Sequence, residues 1–194
     1  TARNFQNCDA IREIVIVTRP DLQGYLRSLC AAHAFDKVTS VVEGGSTRAH
    51  SVMRGMDHVS TKAGLVAIHD GARPLASQSV IENSIRKAAE YHAAAPAIPV
   101  KDTIKIADRH IVTRTPDRDS LFAVQTPQVF DYDLLRGALQ KALNEELPIT
   151  DDCSAVEAMG MSVYLTEGNE ENIKITTPMD MILAEAIYKR REQL

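Results

Sequence analysis

No stretch of the sequence approaches the ~18 consecutive apolar residues that cross a bilayer, and the first residues carry neither the basic nor the apolar region of a secretory signal. The expectation is a cytoplasmic protein. Cysteine is scarce: Cys8, Cys30 and Cys153 are scattered, odd in number and never arranged as CxxC. That pattern argues against a disulfide scaffold or a zinc site and fits a reducing compartment. Also missing are a GxSxG elbow, an HExxH helix, a GKS or GKT phosphate loop, and any GxGxxG after a strand. Serine hydrolases, zinc peptidases, P-loop enzymes and dinucleotide oxidoreductases thereby lose their sequence support. Positive charge is not in excess either, since 22 basic side chains face 26 acidic ones for a net charge of -4. Nucleic acid is therefore not the default partner, and an anionic ligand has to be met by locally focused donors and cations.

What is present fits one α/β domain of 194 residues. The β-branched run 13–18, ended by Pro20, reads as a strand buried on both faces, and Leu22, Tyr25, Leu26, Leu29 and Cys30 follow at helical spacing. The cycle repeats as strand 38–42, helix 48–59, strand 65–69, helix 77–91 and strand 95–100. Such alternation predicts right-handed crossovers and a doubly wound, mostly parallel sheet. Period-two patterning at 103–106 and 111–113 around Asp108-Arg109-His110 predicts a hairpin, which has to project from the sheet and offers a half-apolar face for dimerisation. The last third predicts helices 133–143, 151–159 and 179–190, with Thr150 and Thr177-Pro178 opening the last two, and strands 162–166 and 172–176.

Ligands of open α/β sheets bind beyond the carboxyl ends of the strands, so polar clusters directly after apolar runs are the candidate sites. Glu43-Gly44-Gly45-Ser46-Thr47-Arg48, with Ser51 in the next helix, allows close backbone approach and offers amides at a helix start; a plain strand-to-helix turn would look the same. His69-Asp70-Gly71-Ala72-Arg73-Pro74 sets a carboxylate and a guanidinium about two small residues. Asp70 suits a ribose hydroxyl or magnesium and Arg73 a phosphate, while a loop ion pair is the simpler reading. In Asn172-Ile173-Lys174-Ile175-Thr176, alternation puts Asn172, Lys174 and Thr176 on one face, where Lys174 meets either solvent or an anion. Thr103, Arg118 and Thr126 are further donors suited to phosphate, in segments that turn chemistry also explains. Asp151 and Asp152 read as charge compensation at a helix start.

Taken in order, GGSTRAHSV, HDGARP, PVKDTIK, DRDSLFAVQTPQVF, TDDCSAVEAMG and NIKITTPMD resemble the 2-C-methyl-D-erythritol 4-phosphate cytidylyltransferases across nearly the whole chain. The resemblance implies a Rossmann-like nucleotidyltransferase fold, CTP as co-substrate, Mg2+, and a homodimer joined through a β-arm at about 102–126. It implies that Gly44, Gly45, Ser46, Arg48 and Ser51 hold the nucleotide and that Asp70, Gly71 and Ala72 hold its ribose and phosphates, with Asp70 also near the metal. It further implies that Lys174 and Arg118 position the sugar-alcohol phosphate with Arg73, Thr103 and Thr126, and that Arg73, Arg118 and Thr126 come from the neighbouring subunit. Ser46 stands where some members are acidic, and Gly71 where alanine is commoner. The family's opening strand and AAGxGxRMG loop have no counterpart in residues 1–194, which on that reading are inactive on their own. Ribitol-5-phosphate cytidylyltransferases share HDxxRP, TPQ and NIKIT-like motifs, and a non-catalytic nucleotide-binding module is the alternative of a different class.

Overall fold

The computed structural model describes residues 1–193. Helix α1 (Ala2–Gln6) leads to β1 (Ile14–Thr18), Pro20 opens a single 3-10 turn into α2 (Gln23–Ala32), and β2 (Val38–Glu43) pairs parallel with β1. There follow α3 (Arg48–Met56), β3 (Leu65–Ile68), α4 (Gln78–Tyr91) and β4 (Ala93–Pro99). The arm carries β5 (Ile106–Asp108) and β6 (Ile111–Arg114), after which β7 (Phe122–Val124) and β8 (Gln128–Asp131) return to the sheet. Helices α5 (Tyr132–Asn144) and α6 (Asp152–Glu157), strand β9 (Tyr164–Glu167) and α7 (Pro178–Arg191) complete the order.

Helix starts are set by side chains that accept the first free amides: Thr47 from His50, Ser77 from Val80, and Thr177 from Asp180 in a capping box with Pro178 at the first position. For α6 the cap is Asp151, not Thr150; Ser154 returns the bond as the other half of the box. The larger core lies where α3, α5 and α6 pack on the sheet, with Met56, Phe130, Leu135, Leu139 and Val156 at 0–1% exposure. Leu135 and Leu139 stand one turn apart on one face of α5, and each contributes roughly 2 kcal/mol of apolar burial.

Two ladders are parallel, β1 with β2 and β4 with β9. The four-residue β8 is inserted antiparallel between β3 and β4, so those two strands run in the same direction without touching. Neither β7 nor β8 is announced by the sequence, because two short runs flank Thr126-Pro127 and long-range pairing makes them strands, β7 with Ala97–Pro99 of β4 and β8 with β3 and with Ala93–Ala94 of β4. Conversely, 172–176 forms no ladder. Its Ile173 and Ile175 pack against Leu75, Ala184 and Ile187, and the Ile175 amide donates to the Ala72 carbonyl at 2.8 Å. Asn172 departs from the expected shared face, being fully buried while Lys174 stays half-exposed.

The β1–β2 ribbon is not hydrogen-bonded to the larger sheet. Between β1 and β3 lies a cleft of about 1420 Å³, lined by the apolar side chains of both strands and by Val52 and Met56 of α3, and reaching Arg48 and Asp70. No described helix is long and apolar enough to cross a membrane.

Candidate active site

The register of β3 on β8 assembles the first part of the site. Ile68 stands opposite Gln128, so the residues just beyond them, His69-Asp70 and Thr126, meet at the strand ends. There the Asp70 amide donates to Thr126 Oγ1 at 3.1 Å, and His69 Nδ1 lies 3.0 Å from the same oxygen. His69 Nε2 reaches the Arg73 carbonyl at 3.0 Å. Burial pushes the imidazole down to about 4, against the opposing pull of the Arg73 carbonyl and of Asp70, so the ring is neutral at physiological pH.

Asp70 Oδ2 is shared by two cations, Lys174 Nζ at 3.1 Å and Arg73 Nε at 3.3 Å. Burial works to raise the carboxyl, but the hydrogen bond and charge of Lys174, followed by those of Arg73, outweigh it and hold Asp70 below the ordinary carboxylate value. Two cations on one anion leave the corner with a net positive charge. Arg73 is oriented a second time by the Asn172 carbonyl, which accepts from Nη1 at 2.6 Å. Asn172 is itself held from below: its amide donates to the Thr126 carbonyl at 2.9 Å and to Gln125 Oε1 at 3.2 Å. Gln125 also pairs with the Asn169 backbone through both ends of its amide. The buried Gln125 and Asn172 thus fix the segment that carries Lys174, a role that their side-chain types alone did not disclose.

In the glycine loop the close approach is made by the protein's own helix. A Cβ at Gly45 would collide with His50, and one at Gly44 would stand 2.9 Å from Ser51 Oγ. The Gly44 amide donates to Thr18 and its carbonyl accepts from Arg54, while the Gly45 amide donates to Ser51 Oγ at 3.0 Å. Of the expected nucleotide donors and acceptors, the exposed Ser46 and the Gly45 carbonyl, with only a 3.5 Å contact to Ser51, remain most open.

Arg48 points to α6 and pairs with Asp152 at 2.6 Å. Asp152 is fully buried, so simple charge compensation at a helix start does not describe it; its second oxygen has no partner, and burial pushes its carboxyl up. For Arg48, burial is outweighed by the hydrogen bond and charge of Asp152, which hold the guanidinium above its ordinary value. Gln128 completes the tie by accepting from the Asp152 and Cys153 amides at 3.2 Å each and donating to Asp151 Oδ2 at 2.7 Å.

Two expected residues stand apart. Thr103 and Arg118 lie on the exposed arm, and Arg118 donates only to the Lys101 carbonyl, at 3.2 Å. Arg73 and Thr126, expected from a neighbouring subunit, lie beside Asp70 and Lys174 of their own chain through the pairing of β3 with β8.

A strand-end corner of this kind, beside a glycine loop on a mixed α/β sheet, is common to many nucleotide enzymes. The deciding observation is that a sequence model of the 2-C-methyl-D-erythritol 4-phosphate cytidylyltransferases matches residues 1–190. The chain belongs to that family. The cytidylyltransferase of Alkaliphilus oremlandii is 44% identical over 195 residues, covering 100% of this chain and 83% of its own. That of Desulforamulus reducens is 46% identical over 183 residues, or 93% of this chain and 78% of the relative. Among solved structures, the 4-diphosphocytidyl-2C-methyl-D-erythritol synthase of Anaerococcus prevotii superposes with a TM-score of 0.90 at 32% identity, covering 97% of this chain and 84% of that one. The Thermus thermophilus cytidylyltransferase gives 0.80 at 32% identity, covering 97% and 86%. The Rossmann-like nucleotidyltransferase fold is thus common to the cytidylyltransferases and this chain.

Proposed function

We propose that this protein transfers the cytidylyl group of CTP to 2-C-methyl-D-erythritol 4-phosphate, releasing pyrophosphate and 4-diphosphocytidyl-2-C-methylerythritol for isoprenoid precursor synthesis. The observation that carries the reading is the Asp70-Arg73-Lys174 corner, a net positive site at the strand ends of a chain whose family performs this reaction. A phosphate oxygen of the sugar attacks the α-phosphorus of CTP, and the bond to the bridging oxygen of pyrophosphate breaks in line. Two anions have to meet, so cations that hold and orient them do most of the work. Lys174 and Arg73 receive the sugar phosphate, with Asp70 keeping them apart and aligned. Gly44, Gly45, Ser46 and Ser51 shape the cytosine end, Arg48 braces that loop from behind, and Asp70, Gly71 and Ala72 face the ribose and phosphates.

Magnesium fits this donor set through a single oxygen. Among the described residues the side-chain partners of Asp70 meet Oδ2 and none meets Oδ1, and no three His, Cys, Asp or Glu side chains converge. A divalent cation would therefore be held by Asp70 and the nucleotide phosphates, as is usual for Mg2+, and when bound it supplies charge neutralisation. The cleft is lined along both β1 and β3, and we assign to it the opening strand and glycine-rich loop of the family pattern. A homodimer formed through the arm would carry Thr103 and Arg118 to a second copy's corner, and the exposed Ile111 and Val112 suit such contact. The absence of any basic excess fits small-molecule substrates in the cytoplasm.

The test is pyrophosphate release by the product of the full reading frame, with CTP and each sugar phosphate in turn. Turnover with methylerythritol phosphate is expected. Preference for ribitol 5-phosphate, or nucleotide binding without turnover, would overturn the assignment.

A further inference from the structure

We propose that Asn172 is a positioning residue for the sugar phosphate: with Gln125 it forms a buried amide latch that sets Lys174 against Arg73 and leaves the nucleotide side untouched. The kinetic half of the inference rests on the functional reading above; the latch itself does not.

The two side-chain amides can face only one way, and no titratable group enters the latch. The Thr126 main-chain carbonyl can only accept, so the end of Asn172 that lies 2.9 Å from it is Nδ2. Gln125 is oriented in the same way by the backbone of Asn169: its Nε2 donates to the carbonyl at 2.8 Å and its Oε1 accepts from the amide at 3.2 Å. Gln125 Oε1 therefore also faces Asn172 Nδ2, at 3.2 Å. Asn172 is 0% and Gln125 5% exposed, so water does not compete for these bonds. Gly168 leaves the room they need, since a Cβ there would stand 2.8 Å from Gln125 Oε1.

Stability alone does not account for this arrangement. Asn172 Oδ1 is buried without a partner, and a half-satisfied interior amide folds no better than an apolar side chain of its shape. What the amide supplies is position. Its side chain holds the Thr126 carbonyl, its own carbonyl accepts from Arg73 Nη1 at 2.6 Å, and Lys174 follows two residues on. One residue thus registers three groups assigned to the sugar phosphate, on segments that are far apart along the chain. None of these bonds goes to the glycine loop or to Arg48, where the cytosine end is assigned. Loosening the latch moves Lys174 and Arg73 relative to each other, and a misplacement of about 1 Å is enough to slow an oriented attack strongly.

Asn172→Leu and Gln125→Met nearly keep the buried volume and remove the amides. In the complete protein each should lower kcat/KM for the sugar phosphate about tenfold or more, with KM for CTP held within about twofold. The double variant should match the poorer single within about twofold, as members of one unit do. Unchanged kcat/KM for the sugar phosphate, equal rises in both Michaelis constants, or effects that multiply would each overturn the proposal. If Asn172→Leu fails to fold, Gln125→Met decides alone, because Gln125 bonds to neither cation. A second measurement needs no activity. The Ile175 amide, which donates to the Ala72 carbonyl at 2.8 Å, should exchange its hydrogen about tenfold faster in Gln125→Met than in the parent. Equal protection overturns the latch. A parent protein with no transfer activity counts against the functional reading, and the exchange rates still decide whether the latch holds the Lys174 segment.

Discussion

Around Asp70 each working side chain is held by another part of the chain, Arg73 by Asp70 and the Asn172 carbonyl, Thr126 by His69 and the Asp70 amide. On the arm, Ile111 is 73% exposed and Arg118 reaches only a carbonyl at its own base. Both regions supply groups expected on the sugar phosphate. In the first, the entropy of ordering them is lost when the protein folds; in the second it remains to be lost when something covers the arm. On the proposed reading the body orients the sugar phosphate, while the arm's contribution waits on the proposed second copy.

The sharpest way to break this contrast is Lys174→Ala, which removes one cation from the ordered corner. Turnover of the complete protein should fall about 10²- to 10³-fold, with folding and CTP binding retained because Lys174 is half-exposed and makes one ion pair. Steady-state kinetics beside a thermal melt would check it; normal turnover would refute the role. Next in size is Arg48→Met, which strands the buried Asp152 carboxylate. About 3 kcal/mol of stability should be lost, the low end for a broken buried pair because Arg48 is partly exposed and screened. Asp152→Asn should cost less, since the remaining guanidinium can turn to water; urea unfolding of both variants compares them.

A third effect depends on pH. The folded-state value of His69, about 4, lies below the ordinary 6.5, so between these the unfolded chain binds the extra proton. Stability from this group is thus complete above about pH 6.5 and is lost as pH falls towards 4. Unfolding free energies at pH 7 and pH 5 should differ by about 2 kcal/mol from this source, and His69→Asn should remove that part of the slope. Smallest for the body is Ile111→Asp. Its cost in monomer stability should stay within about 0.5 kcal/mol, while sedimentation should show the proposed dimer lost. A large stability loss from that change would mean that the arm is not separate from the body after all.

Local pattern was enough to place β1, β2, β3, α4 and α7 and to find HDGARP at a strand end, because periodicity and capping residues act over a few neighbouring positions. It did not reach the groups whose role is set far along the chain. Asn172 is buried by Gln125, 47 positions away, and Asp152 is held by Arg48, 104 positions away. A lysine between two isoleucines reads as a strand, yet the 172–176 segment packs on α7 and bonds the Ala72 carbonyl in place of a ladder. The same limit explains β8, whose antiparallel insertion follows from which neighbours lie open to it. Thr126 was legible as polar and well placed, but not its contact with His69, 57 positions away.

The tip of the arm carries a consequence for engineering. Arg109 and His110 close the hairpin with φ of 44° and 69°, the left-handed region that Asn-Gly occupies with little strain. Among the described residues neither side chain has a hydrogen bond or ion pair that would offset the turn's conformational cost. Arg109→Asn with His110→Gly is accordingly the cheapest place to stiffen the arm without touching any surface it presents.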